Sequence, residues 1–515
     1  MDNACPASRR TAELEARVGK LALRSKSGRI EIRGLKSQVK ELKAQRKSDK
    51  SVIFKLEAEK KALEAKVKEL EARLKLDSGN SSKPPSSDGL GRKTHQRSLR
   101  ERTGRILGGQ HGHPGACLAW SDSPEHIAPH AVDACPECEC GLHGVDGRVA
   151  ARRQVKDIPP PPPLVTTEHH AIEKVCPKCG RVCTGPSPPG VDGPVQYGAQ
   201  LNARAAYIGA AYQFIPLARA SEMMGKLFNC PMSTGTIVNA ARRLFDLTKK
   251  PEEAIKEILK KEQLLHVDET PVRSLGANGY IHFAGTERLS HLAFDTSRGI
   301  YAVEIIGILP EFKEAIVSDF YPAYDRYGTR HGGCGAHILR ELKHVGMDME
   351  GQGWAFRAID AIMDIKRAVD VAKAAGLTRI DPFILCKLSL RYDAAIKAGA
   401  RQNKTTVGEL EVGRRGAKKS KAANLLARLH LKKERILLSA HDFAVPFDNN
   451  LAERGVRMSK VKQKISGCHR GKEGAKIYYR IRSYVDTARK QGIDPFKAIL
   501  DAFHGNPFMP LGDTG

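Results

Sequence analysis

Between Leu14 and Leu74 the chain places apolar side chains at alternating steps of four and three residues. The register visits 18 positions without a slip, and 13 of them are apolar, from Leu14, Val18 and Leu21 through to Val67, Leu70 and Leu74. A seam this narrow is buried only against another helix, so the spacing predicts an α-helical coiled coil over residues 1–78 and, with it, a homo-oligomer. As one continuous helix the stretch would be about 90 Å long. Arg46 and Asp49 interrupt the seam, which weakens or specifies the pairing. A single amphipathic helix folded back on its own body is the competing arrangement. The charged flank Glu57-Ala58-Glu59-Lys60-Lys61 favours the coiled coil, whose number of chains stays open.

Charge narrows the class of partner. In 515 residues there are 85 Lys and Arg against 58 Asp and Glu, and 85 − 58 = +27. An excess of this size points to a polyanion, most simply nucleic acid. Hydrophobic residues make up 41% of the chain, which excludes wholesale disorder. No run reaches the length of a membrane span, and Met1 to Ala12 has no apolar leader, so the expected location is the cytoplasm, associated with the nucleoid. Twelve cysteines, several as Cys-x-x-Cys pairs, suit metal ligands in a reducing compartment better than disulfides.

Residues 79–107 read as a linker, Pro-, Ser- and Asn-rich at first and then basic, with Arg92, Lys93, Arg97, Arg100, Arg102 and Arg105 against Glu101. It serves equally as a phosphate-tracking arm or as a solvated tether. Residues 108–195 are rich in Gly, Pro, Cys and His. Here Cys135-Pro-Glu-Cys138 and Cys176-Pro-Lys-Cys179 form two knuckles able to supply four thiolates to one structural zinc. Cys140 and Cys183 leave the ligand choice open, and free buried cysteines are the alternative. Residues 196–258 are helical. A helix over Leu217–Met224, a turn at Gly225 and a second helix capped by Ser233 or Thr234 are compatible with a helix-turn-helix or with plain helix packing.

Strand patterns follow. Gln263 to Val267 ends at Asp268, Tyr280–Ala284 and Leu289–Phe294 come next, and Glu314 to Ser318 ends at Asp319. Carboxylates at the ends of adjacent strands project into one crevice and, with a third acid, form a site for two Mg²⁺ ions. Taken alone, an Asp after a strand is more often a turn residue. The third acid is Glu453, one turn inside a helix capped by Asp448 or Asn449. It heads a basic segment whose Arg454, Arg457, Lys460, Lys462, Lys464 and Arg470 form a candidate DNA face, with a solvated salt-bridging face as the bland alternative. His337 is a candidate for the crevice, with a packed or capping histidine as the commoner alternative, and His266 reads as structural.

In this order, these pieces resemble transposases of the bacterial insertion sequence 66 family. The motifs that carry the likeness are Asn80-Ser-Ser-Lys-Pro-Pro-Ser-Ser-Asp88, Gly108-Gly-Gln-His-Gly-His-Pro-Gly115, the cysteine knuckles and His266-Val-Asp-Glu-Thr270. Ser318-Asp-Phe-Tyr-Pro-Ala-Tyr324, Cys334-Gly-Ala-His337 with Arg340, Asn449-Asn-Leu-Ala-Glu-Arg454 and Thr487-Ala-Arg-Lys-Gln-Gly-Ile-Asp-Pro495 complete them. The resemblance implies an α/β RNase H-like catalytic core at 259–345 with an Asp-Asp-Glu triad, which maps onto Asp268, Asp319 and Glu453. The 133 residues between the last two imply a mostly helical insertion over 346–440, core return helices at 441–490 and a tail at 491–515. It further implies Mg²⁺-dependent cleavage of double-stranded DNA at element ends, strand transfer into target DNA, and small accessory proteins from the same element. Where many members have Arg-Lys-Asn after the glutamate helix, this chain has Lys462-Gln463-Lys464, so no residue-specific role transfers there. A domesticated, inactive DNA-binding protein is the alternative function, and the intact acids argue against it.

Overall fold

The computed structural model describes residues 6–21, 26–74, 112, 118–188, 190–209, 212–412 and 420–512. The 80–88 motif, the basic arm at 89–105, the 108–115 motif apart from Gly112 and the basic loop at 413–419 lie outside the described residues. The chain divides into an N-terminal helical unit and a larger unit.

In the first unit the heptad stretch is two helices, α1 (Pro6–Leu21) and α2 (Lys26–Leu74), instead of one rod. α1 lies along the first half of α2: Lys43 Nζ reaches Glu15 Oε1 at 2.5 Å, and Leu14 shares a cleft with Leu35 and Leu42. The reason is visible in the seam. Ser25 and Gly28 offer nothing to bury, whereas Leu35, Val39 and Leu42 do, and Val39 is 9% exposed. The folded-back arrangement therefore holds for the first half of the repeat. Ile53, Leu56, Leu63 and Val67 remain more than half exposed along α2.

The larger unit opens with the cysteine knuckles, the second held by β1 (Glu173–Val175) and β2 (Val182–Thr184), an antiparallel pair. Four helices follow: α3 (Ala199–Ile208), α4 (Leu217–Phe228), α5 (Thr234–Leu247) and α6 (Lys249–Leu259). α4 passes straight through Gly225 and stops at Asn229, whose φ of +49° breaks the helical hydrogen-bond run. Ser233 caps α5, accepting from the Thr236 N–H.

A five-stranded sheet forms the centre: β3 (Leu264–Ser274), β4 (Ala277–Gly285), β5 (Ser290–Asp295) and, after α7 (Ile300–Ile306), β6 (Ala315–Ser318) and β7 (Arg330–Gly333). The order is β5-β4-β3-β6-β7, antiparallel on the first side of β3 and parallel on the second. β3 does not end at Asp268. Leu275 and Gly276, at φ +51° and +78°, make a two-residue turn that carries β3 on to Ser274 and returns directly into β4. The pairing with β6 stops earlier, at His266 opposite Val317, so Asp268 lies where β3 has lost its parallel neighbour.

Beyond β7 the chain is helical: α8 (Gly335–Asp348), α9 (Trp354–Ala374), α10 (Pro382–Gln402), α11 (Val407–Val412), α12 (Lys421–Leu431) and α13 (Lys433–His441). Then α14 (Asn450–Ser466) and α15 (Lys472–Lys490) return to the sheet, and α16 (Pro495–Phe503) follows. Leu451, Ala452 and Val456 of α14 share a core with Ile281 and Phe283 of β4. Ser483 and Thr487 of α15 accept the N–H groups of Leu292 and Ser290 on the edge strand β5. The architecture is thus helical around one small mixed sheet. Among the described residues no helix is long and apolar enough to cross a membrane.

Candidate catalytic site

Asp268 on β3 and Asp319, immediately after β6, meet at the edge where the two strands part. One oxygen from each, with one from Glu269, lies within 4.8 Å of the others. Buried like charges this close resist ionisation together. Burial holds Asp268 well above the usual carboxylate range, and the charges of Asp319, Glu269 and Glu453 push it further. Glu269 is raised to about 7 by burial and by Asp319, against the pull of Tyr324 and Arg298. The Tyr324 hydroxyl donates to its Oε2 at 2.7 Å, and the Arg298 guanidinium pairs with Oε1. Burial raises Asp319 as well, although its Oδ1 accepts the Tyr321 N–H at 3.3 Å.

Glu453 heads α14 as expected, with its N–H bonded to the Asn449 carbonyl. It lies in an adjoining cluster, its oxygen within 4.8 Å of Cys334 Sγ and a ring nitrogen of His337. Arg340 Nη2 is 3.4 Å and His337 Nδ1 3.7 Å from Glu453 Oε1. Burial raises the Glu453 carboxyl, Arg340 opposes, and Asp448 and Asp319 add to the rise. The two clusters therefore act on each other: Asp268 feels Glu453, and Glu453 feels Asp319. Burial, with Arg340 and Arg428 beside it, lowers His337 to about 4, so its ring is neutral at neutral pH.

One residue ties the acid-bearing elements together. Asn449, 1% exposed, donates from Nδ2 to the Val267 carbonyl and meets His266 Nδ1 with Oδ1, both at 2.8 Å. Its backbone N–H donates to Cys334 Sγ at 3.3 Å. Instead of capping its own helix, this side chain fixes the start of α14 to the residue before Asp268. His266 is structural in that sense, and burial lowers its pKa. Cys334, pushed up to about 12 by burial, is a neutral acceptor at the same junction.

The basic residues of α14 and its exit divide. Arg454, Arg457, Lys464 and Arg470 are exposed. Lys460 is half-buried and donates to the Pro271 carbonyl at 2.6 Å, close enough to Asp268 for the two charges to interact. Lys462 departs from the expectation. It follows Val456 and Ser459 on the buried face of the helix, and its ammonium lies 5.2 Å from the Tyr478 ring centroid, so it is no part of an exposed DNA face. The residues missed by sequence reasoning are the partners Arg298, Arg428 and, as a member of the acidic group, Glu269; only its adjacency to Asp268 signalled it.

Both cysteine knuckles form, with matching backbones. The Glu139 N–H bonds to the Cys135 carbonyl and the Gly180 N–H to the Cys176 carbonyl, with φ +56° and +68° at the two donors. Nearby N–H groups, Cys138 and Glu137 in one and Cys179 and Lys178 in the other, lower the Cys135 and Cys176 thiols. Among the described residues, no three of these sulfurs come within 4.8 Å of one another.

Residues 194–477, more than half of the chain, match the model of the transposase IS66 family. The chain belongs to that family. The IS66-family match takes in Asp268, Asp319, Glu453 and the α4–α5 pair. Residues 4–119 match a family of unknown function (DUF6444). No curated protein and no solved structure matches the chain.

Proposed function

We propose that this IS66-family chain is an Asp-Asp-Glu transposase that cleaves double-stranded DNA at insertion-element ends and joins the freed strand to target DNA. The observation that carries the reading is the meeting of Asp268 and Asp319 at one sheet edge, electrostatically coupled to Glu453. The strand order β5-β4-β3-β6-β7, with acids on the central strand and just after its parallel neighbour, supports an RNase H-like core.

The donor set fits magnesium. Hard carboxylate oxygens, crowded and buried so that each resists ionisation, form the charge deficit that a divalent cation relieves. Asp268, Asp319 and Glu453 would hold the metal, which supplies polarisation of the scissile phosphate and activation of the attacking water or 3′-hydroxyl. Arg340 balances Glu453, and Lys460 balances Asp268. The neutral His337 ring leaves the net charge of the cluster unchanged at neutral pH. Arg454, Arg457, Lys464 and Arg470 face solvent and hold the DNA backbone. Cys135, Cys138, Cys176 and Cys179, on turns that favour thiolates, would hold a structural Zn²⁺ once the two knuckles, which stand apart in this structure, close on it. The exposed seam of α2 pairs copies of the chain as a coiled coil.

The test is a cleavage assay on end-labelled duplexes carrying the element termini, run with Mg²⁺ beside Asp268→Asn. Wild-type chain nicks at the termini only when Mg²⁺ is present, and the variant falls to background while still binding the duplex. Cleavage that survives in Asp268→Asn removes the proposed site.

A further inference from the structure

Helix α5 carries its own exposed stripe, separate from the acidic site. α3, α4 and α5 bury one core, in which Ile237 and Ala240 of α5 pack on Ala220 and Met224 of α4 and on Ile208 of α3. On the side of α5 away from that core, Thr234, Gly235, Asn239, Arg242, Arg243 and Asp246 are exposed. Arg242 Nη1 lies 3.4 Å from Asn239 Oδ1, so the two side chains point outward together. Gly235 stands in the same stripe. A Cβ there would meet only Ser233 Oγ, at 3.6 Å, so the fold has no steric need for glycine at this helical position. Glycine weakens a helix, and its remaining use is to let another surface approach the backbone closely.

This stripe joins the basic surface already described. Arg242 Nε is 3.8 Å from Glu473, and Glu473 lies in the first turn of α15 between exposed Lys472 and Lys476, just after exposed Arg470. The junction is rigid. Arg480 of α15 stacks 3.7 Å from the Phe245 ring centroid, donates to the Phe245 carbonyl at 3.2 Å and pairs with Glu252 of α6. Cations thus run from the entry of α15 onto the outer face of α5, and a polyanion is the occupant they complement.

We infer that α5 is the sequence-reading helix of this chain, entering the major groove of duplex DNA with Asn239 and Arg242 at base edges. Arg is suited to the guanine O6/N7 pair and Asn to the adenine N6/N7 pair, which makes these two side chains informative in a groove where each base pair is distinct. Gly235 lets the first turn of the helix reach the groove floor. Arg470, Lys472 and Lys476 take the neighbouring phosphates, which sets the register without reading sequence. The inference rests on the reading that the chain acts on DNA, but it requires none of the three acids.

It is tested by selecting duplexes from a random-sequence library with the full-length zinc-loaded chain and no added Mg²⁺, then measuring affinity for the enriched duplex and for a scrambled one. Wild type and Asp268→Asn enrich the same motif, which separates this inference from the cleavage mechanism. Asn239→Ala and Arg242→Ala each weaken binding to that motif about tenfold or more, relax one or two adjacent positions, and change scrambled-duplex affinity far less. Lys472→Ala weakens both duplexes by the same factor and lowers the salt dependence by about one counterion. Enrichment of an unchanged motif by both α5 variants, or of no motif by wild type, overturns the assignment.

Discussion

Asn449 joins three stretches of chain that are far apart in sequence. It bonds to His266 and Val267 on β3, accepts the Glu453 N–H on α14 and donates to Cys334 at the entry of α8. Replacing it by Ala leaves the Val267 carbonyl and the His266 ring buried without this partner, a loss of about 1–3 kcal/mol. Asn449→Ala is therefore expected to lower the melting temperature and, by freeing Glu453 from its register with Asp268, to reduce Mg²⁺-dependent cleavage more than DNA affinity. A melting curve beside cleavage and binding assays separates the two effects. The acids carry a second consequence. Glu269 ionises near 4.5 when unfolded but at about 7 in the fold, so the folded state holds the extra proton. Its contribution is complete below 4.5 and is lost as pH rises through about 7, with raised Asp268 and Asp319 acting in the same sense. The Mg²⁺-free melting temperature should fall from about pH 5.5 to about pH 8, and the increment on adding Mg²⁺ should be larger at the higher pH. Scanning calorimetry at both values checks this.

At the scale of elements, close approach does the positioning. α14 crosses β4 so tightly that a Cβ on Gly455 would run into the Phe283 ring. Gly455→Ala should cost about 1–3 kcal/mol and move Glu453 outward, seen as lost cleavage in a chain that still melts cooperatively. This scale also separates what the sequence made legible. Leu264 to Val267 and Ala315 to Ser318 are mostly apolar runs followed at once by Asp268 and Asp319, so both site-bearing strands could be found from pattern alone. The continuation of β3 could not, because Gly276-Ala277-Asn278-Gly279 announces a turn over four residues, whereas the turn is Leu275-Gly276 and Asn278-Gly279 already pairs within β4. β7 was missed because Arg-His-Gly-Gly carries no apolar alternation. Its glycines lie under Val445 and Phe320, a demand of packing that local sequence does not display. Lys462 misled for the reverse reason: it counts as a charge in sequence, yet it sits on the helix face that carries Val456 and Ser459.

For the whole molecule, the heptad repeat is used twice. Its first half is consumed by α1 folding onto α2, and its second half is left exposed. In the proposed coiled coil, Ile53, Leu56, Leu63 and Val67 would form the seam between copies, with Lys60 as its polar position. Leu56→Asp with Leu63→Asp should therefore shift the chain to monomer in light scattering while leaving its helix content nearly intact. The net charge of +27 is borne in part by the exposed residues of α5, α14 and α15, so DNA affinity should fall steeply as salt is raised. All of this serves one proposed centre, where Asp268, Asp319 and Glu453 would share a divalent cation. The direct measurement is a Mn²⁺ titration of the full-length chain followed by electron paramagnetic resonance, repeated with Asp268→Asn and Glu453→Gln. Saturable Mn²⁺ binding by wild type near pH 8, weakened by acidification below pH 7 and lost in both variants, is the predicted result; Mn²⁺ binding that is equal in all three proteins would contradict it.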